Sequence, residues 1–391
     1  MDIKALAKEQ ENYIISCRRH LHQYPELGTQ EFETTKFIVS ELTKMGIEVQ
    51  AFDDITGCIG TIKGGKEGKT IMLRADIDAL PITEIPGKDY CSKNDGVMHA
   101  CGHDCHTSML LGAAKILNEH KDELCGTVKL IFQMAEEIGR KAEEYVKRDA
   151  LNGVDAIFGM HIWPALDAGQ ASFESGDRMA CSDRFTIKVH GKAAHGSAPN
   201  QGHDAIVAGA AAIMALQTIA SRQMNPLDAL VVTVGMFNGG TKLNILCDTT
   251  EIVGTVRTFN REFRNNMPET IANVVNNTVA AYGCTAELDY YFGPSPLIND
   301  NEELVKIAQG AAKKAISDDC LTSLTKMMGA EDFSVYTEHI PGIYGYLGAR
   351  NLEKGIDCLA HHPAFEVDED VLYNGTAMYA QFAFDYLEAN K

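Results

Sequence analysis

The feature that most limits what this chain can become is the alternation, in its first half, of short apolar runs with amphipathic helical stretches. The runs ITGCIGTI (55–62), TIMLRADI (70–77), TVKLIFQM (127–134) and AIFGMHIW (156–163) have strand length, and helical periodicity marks Phe32 to Met45 and about His106 to Leu124. Strands separated by helices imply an α/β fold with a mostly parallel sheet covered on both faces. Such sheets bind ligands at the carboxyl ends of their strands, so the residues that close these runs are the first candidates for function.

From Asp183 the pattern changes. RFTIKVHG alternates as a half-buried strand, and HDAIVAGAAAIMALQTIASR is an Ala-rich helix whose His203 and Asp204 suit its amino end. Strands LVVTVGMF and TEIVGTVRTF, a helix near Glu262 to Tyr282 and the strand CTAELDYYF follow. That β-α-β-β-α-β order is the split arrangement of a ferredoxin-like module. Residues 182–293 are therefore expected to form a domain inserted into a discontinuous one of 1–181 and 294–391, with GPSP (293–296) as the return crossing. The strand IYGYLGA and a helix near Glu369 to Glu388 complete the larger domain. Two cores agree with a length of 391 residues.

A formal net charge of -19 excludes nucleic acid and anionic membrane as partners and favours a small molecule. The first 20 residues mix charges throughout and lack the apolar core of a signal peptide. No stretch is expected to reach the roughly 18 charge-free apolar residues of a membrane span. Eleven cysteines scattered along such a chain read as reduced thiols of a cytoplasmic protein.

Four segments carry candidate chemistry. In HACGHDCH (99–106) Cys101 and His103 can aim at one point from an irregular segment, and thiolate and imidazole are good ligands for first-row metals. Asp104 could orient a ligand, while a polar helix entrance or a CxxxC pair through Cys105 are the plainer readings. LIFQMAEE closes a strand with Glu136 and Glu137, whose side chains diverge. One can bind a metal while the other serves as general base, although most such pairs are solvated surface charges. His161 ends the run IFGMHIW, and AHHPAF places His361 and His362 on a turn before the last helix. Each is ambiguous singly, and all would meet at one edge of one sheet.

The motifs LRADIDALP, MHACGHDCH, FQMAEE, GMHIWP, GKAAHGSAP, GTVRTF, MGAEDFS and HHPAF, in this order, resemble the metallo-amidohydrolase family of hippurate hydrolase, aminoacylases, N-acetyldiaminopimelate deacetylase and the plant hydrolases of indoleacetyl-amino acids. The resemblance covers essentially the whole chain. It implies a dimetal enzyme that hydrolyses the amide of N-acyl amino acids, with two divalent ions (zinc, manganese, cobalt or nickel) per subunit. Cys101 would bridge them, His103 and His161 completing one site and Glu137 and His361 the other, with Glu136 as base and Asp76 as a supporting carboxylate. His195 would stabilise the oxyanion, in its own or the partner subunit's site, and Asn244 and Arg257 would hold the substrate carboxylate. The inserted domain would act as lid and dimerisation module of a homodimer.

Met134, Cys247, His362, Arg140 and Lys141 depart from the family's usual wording and bear on pocket shape rather than on ligands. Two other readings stand beside the deacylase: a dipeptidase or carboxypeptidase on the same scaffold, and a metal-dependent binding protein without turnover. Glu136, which ligates nothing in this scheme, counts against the second.

Overall fold

The apolar runs become strands in the computed structural model, which describes residues 1–391. In chain order these are β1 Glu48–Ala51, β2 Cys58–Lys63, β3 Lys66–Asp76, β4 Cys125–Gln133, β5 Ala156–Asp167, β6 Ala171–Ser172, β7 Gly176–Met179, β8 Asp183–His190, β9 Leu230–Gly239, β10 Thr249–Thr258, β11 Thr285–Tyr291, β12 Leu297–Asn299 and β13 Gly342–Arg350. The chain divides into two units, Met1–Gly176 with Asn299–Thr325 and Val335–Lys391, and Asp177–Ile298 with Lys326–Ser334.

The first unit holds a seven-stranded sheet in the order β1-β2-β4-β3-β5-β13-β6. Its centre, β4-β3-β5-β13, is parallel, and the flanking pairs are antiparallel. β2 runs against β4 because only Gly64 and Gly65 separate it from β3, and two residues permit a reversal but no crossover. Long buried runs in β3 and β13 show strands covered on both faces. Ile71, Leu73, Leu130, Phe132, Phe158 and Ile343 of the sheet share one core with Met109, Leu110 and Leu117 of helix His103–Glu119 and with Met378 and Phe382 of helix Leu372–Ala389. Each such side chain contributes about 1.5–3 kcal/mol by leaving water. Helices Ile3–Glu9 and Glu11–Gln23, which the apolar pattern had not marked, add Ile3, Ala7, Ile14 and Cys17 to it.

The second unit is a four-stranded antiparallel sheet in the order β11-β8-β10-β9. With helices Ala205–Thr218 and Met267–Ala280 this is the ferredoxin-like β-α-β-β-α-β arrangement. β8 buries every second residue, so Phe185, Ile187 and Val189 meet Ala208, Ala212 and Leu216 of the first helix and Ile271 and Val275 of the second. Asp204 caps the first helix by accepting from the Ile206 and Val207 amides. The helix expected near Glu262 to Tyr282 is instead two, Arg261–Asn265 and Met267–Ala280, because Pro268 has no amide to carry the ladder across Asn266. One stretch, Ala205–Gln223, is after all long and apolar enough to cross a membrane by length and composition. It passes that test through its alanines, and one face of it packs on the sheet of this unit.

Candidate metal centre

The parallel strands deliver their chemistry at one end. β3 finishes in Asp76, and Asp78 follows two residues later. β4 finishes at Gln133, and after Ala135 in the left-handed region (φ 57°) a 3-10 turn carries Glu136 and Glu137. β5 does not end at His161, as its apolar run suggests, but continues to Asp167. It loses β3 as a neighbour after Gly159 and keeps β13, so Pro164 falls where one side of the strand has no ladder to interrupt. Gly102, at φ 98°, turns the chain from Cys101 into helix His103–Glu119. His361 itself adopts φ 65°, and its amide donates to the Ala100 carbonyl at 2.7 Å.

These elements bring Cys101, His103, His161, Glu137 and His361 together. Ligand atoms of Cys101, His103 and His161 lie within 4.8 Å of one another, and so do those of Cys101, Glu137 and His361. The two triads share only the thiol. Glu136 joins His103 and Glu137 in a third such group. Cys101 Sγ is 3.4 Å from His161 Nε2, and Glu137 Oε1 is 3.3 Å from His361 Nε2. His362 is turned to its own loop, where Nδ1 accepts from the Ala364 amide at 3.1 Å.

Two of the imidazoles, His103 and His161, are held by the nitrogen they do not present. His103 Nδ1 donates to the Asp78 carbonyl at 2.9 Å and lies 3.1 Å from Asp78 Oδ1, leaving a buried Nε2 without a hydrogen-bond partner. His161 Nδ1 donates to the Ile162 carbonyl. Asp78 also accepts from the Glu137 amide at 3.0 Å, so one carboxylate fixes two members of the cluster. His106 accepts from the Ile162 amide through Nε2 and donates to Asp76 through Nδ1, so both its nitrogens are committed. Asp76 is further held by Arg74 Nη1 at 2.6 Å.

Asp104, expected to orient a ligand, instead accepts from Arg18 Nε at 2.9 Å and pairs with His22 at 2.8 Å. Helical spacing turns it from the face that carries His103 and His106. Cys105 lies in the hydrophobic core and forms no pair with Cys101, and all eleven thiols are free. Asp78 and His106 carry as many contacts here as the marked residues. The only signals for them were the second Asp of RADID and the three-residue step from His103.

The electrostatics fit a cationic guest. Burial, reinforced by the Glu137 carboxylate, pushes the Cys101 thiol well above its usual range. Burial alone would lower His103, but Asp76, Asp78 and Cys101 outweigh it and hold the imidazole protonated. His361 is raised by its hydrogen bond to Glu137, while burial and the neighbouring His106 hold His161 neutral. Protons thus balance the negative charge of Asp76 and Glu137. Divalent ions would take over that task, releasing the His103 proton and stabilising the thiolate. The orphaned His103 Nε2 faces a centre that needs such a partner.

In the second unit, His195 and Asn244 lie on adjoining loops: His195 bridges to Ile245, and the Gly196 amide donates to the Asn244 carbonyl at 2.8 Å. His195 Nδ1 is engaged by Ser197, 2.7 Å from its hydroxyl and 3.2 Å from its amide. Arg257 is on β10 opposite Val231, half-buried, and burial lowers its pKa.

A parallel-sheet unit with thiol, imidazole and carboxylate groups in two linked triads is suited to a pair of divalent ions, the centre of a dinuclear metallohydrolase. The model of peptidase family M20/M25/M40 matches residues 72–385, and the chain belongs to that family. It is 42% identical over 381 residues (97% of this chain, 90% of the relative) to N-acetyl-L-cysteine deacetylase of Bacillus subtilis. It is 38% identical over 387 residues (98% of each) to thermostable carboxypeptidase 2 of Saccharolobus solfataricus. Among solved structures, the YXEP protein of Bacillus subtilis, a dinuclear metal binding peptidase of the M20 family, superposes with a TM-score of 0.86 at 38% identity, covering 97% of this chain and 99% of that one.

Proposed function

We propose that this enzyme hydrolyses the amide bond of N-acyl amino acids, releasing a carboxylic acid and a free amino acid. The observation that carries the reading is the sharing of Cys101 by two ligand triads with Glu136 beside them. Two divalent cations held by Cys101, His103, His161, Glu137 and His361 would supply Lewis acidity and lower the pKa of an attacking water towards 7. A mixed thiolate, imidazole and carboxylate set suits zinc, manganese, cobalt or nickel. Glu136 takes the proton of the attacking water and passes it to the leaving nitrogen. Asp76 and Asp78 keep the imidazoles oriented. His195 donates to the tetrahedral oxyanion, and Arg257 with Asn244 holds the substrate carboxylate.

The similarity to an N-acetyl-L-cysteine deacetylase favours a small N-acyl group. The similarity to a carboxypeptidase keeps peptides as the second substrate class. The free thiols suit a reducing cytoplasm. A homodimer through the second unit is supported by Ile206, Val207 and Met214 on helix Ala205–Thr218 and by Met236 and Phe237 on the edge strand β9, all exposed.

The test is turnover of N-acetyl, N-benzoyl, indoleacetyl and long-chain acyl amino acids, beside dipeptides, by the wild type and by Glu136→Gln. The proposal expects N-acyl amino acids to be cleaved faster than dipeptides, and Glu136→Gln to keep its metal and lose turnover. Undiminished turnover in that variant would remove the base, and faster dipeptide cleavage would move the enzyme to the second class.

A further inference from the structure

Glu31 precedes helix Phe32–Lys44, yet its side chain does not cap that helix. Glu26 does so, accepting from the amides of Glu33 at 3.2 Å and Thr34 at 2.8 Å. Glu31 points inward instead and is 0% exposed. One carboxyl oxygen accepts from the Ala135 amide at 2.8 Å, the other from the Thr56 hydroxyl at 2.6 Å. A carboxyl group is expensive to bury, and this one is spent on the residue before Glu136.

That residue needs holding. Ala135 is left-handed (φ 57°), where its Cβ crowds the following carbonyl oxygen. Three amides of the turn are caught by side chains from elsewhere: Met134 by the Tyr145 hydroxyl at 3.0 Å, Ala135 by Glu31, and Glu137 by Asp78. Gly28 closes the turn from behind, where an added Cβ would come within 3.2 Å of the Ala135 Cα. Glu31 and Asp78 act on the two residues that flank Glu136, and of these two Glu31 is the one that holds no candidate metal ligand. We propose that Glu31 is a positioning residue for Glu136, acting through the Ala135 amide. The inference rests on the reading of Glu136 as the base.

An acceptor, rather than a charge, is what the turn uses. Burial, with the Asp78 carboxylate adding to it, pushes the Glu31 carboxyl up to about 7, so its neutral form is close at hand. Glutamine can present its carbonyl to Ala135 and its amide to the Thr56 oxygen; alanine can present nothing.

The experiment compares kcat, KM and metal content of Glu31→Ala, Glu31→Gln, Thr56→Val, Glu136→Gln and the Glu31→Ala/Glu136→Gln pair on one N-acetyl amino acid. Misplacing a base by a fraction of an ångström should lower kcat of Glu31→Ala on the order of 10-fold to 100-fold, with KM and metal content unchanged. Glu31→Gln should recover kcat to within about threefold, and in the Glu136→Gln background Glu31→Ala should add no further loss. Wild-type kcat in Glu31→Ala, or equal losses in the Ala and Gln variants, would overturn the proposal. Should Glu31→Ala not fold, Thr56→Val, which frees one end of the carboxyl, must still lower kcat at constant KM, or the proposal fails. Turnover that survives Glu136→Gln would instead sink the base assignment itself.

Discussion

His106 donates its Nδ1 proton to Asp76 across 2.6 Å while its Nε2 accepts from the backbone of Ile162 at 2.8 Å. It sits one helical turn from His103 and with Asp76 forms a cluster that resembles a ligand set, but it has no lone pair left to offer. His103 leaves Nε2 unpartnered. The two histidines should therefore part under mutation: His103→Ala loses metal, whereas His106→Ala keeps both ions and melts lower, since two buried partners are orphaned at about 1–3 kcal/mol each. Elemental analysis beside a thermal melt separates them, and metal loss in His106→Ala would contradict this division.

Cys101 is the one residue common to both triads. Removing a shared ligand should cost more metal than removing any unshared one, so Cys101→Ala is expected to bind fewer than one ion per subunit, while His161→Ala and His361→Ala each retain about one. Full metal content in Cys101→Ala would show that the thiol bridges nothing.

Arg257 stands on β10 with its guanidinium half-buried. If it anchors the substrate carboxylate, Arg257→Ala should raise KM on the order of 10-fold to 100-fold for N-acyl amino acids, the worth of a charge-assisted pair. It should do far less for the corresponding carboxamides, which have no anion to hold. Parallel effects on both substrate series would assign the arginine to structure.

The sequence reveals most of this site because its chemistry sits at strand ends, and a strand that closes on Glu136 and Glu137 is visible as an apolar run meeting two carboxylates. The ferredoxin-like order was equally legible from alternation in RFTIKVHG and from the Ala-rich helix after it. What stayed hidden depends on pairing across the chain. Asp78, His106 and Glu31 are ordinary residues until β3, helix His103–Glu119 and the loop before Phe32 are set side by side. The reversal of β2 follows from a Gly64-Gly65 connection too short for a crossover, which apolar periodicity does not measure. Asp104 misled because composition around a ligand says nothing of the direction in which a helix turns its second residue.

Asp104 belongs instead to a buried charge cluster centred on Arg18, which also reaches Glu366 at 2.9 Å and Glu369 at 3.1 Å. Burial would raise the Glu366 carboxyl, but Arg18 and Lys88 outweigh it and hold it at about 2. A carboxyl depressed in the folded state binds its proton more readily in the unfolded chain. Its contribution is therefore complete above the ordinary glutamate range near 4.5 and disappears as pH falls from there towards 2. Glu366→Gln should be less stable than the wild type at pH 7 by roughly 1–3 kcal/mol, the worth of a hydrogen bond between charged groups, and the gap should close between pH 4.5 and 2. Urea unfolding of both proteins across that range measures it. A gap independent of pH would mean that Glu366 contributes through packing and not through the charge it shows Arg18.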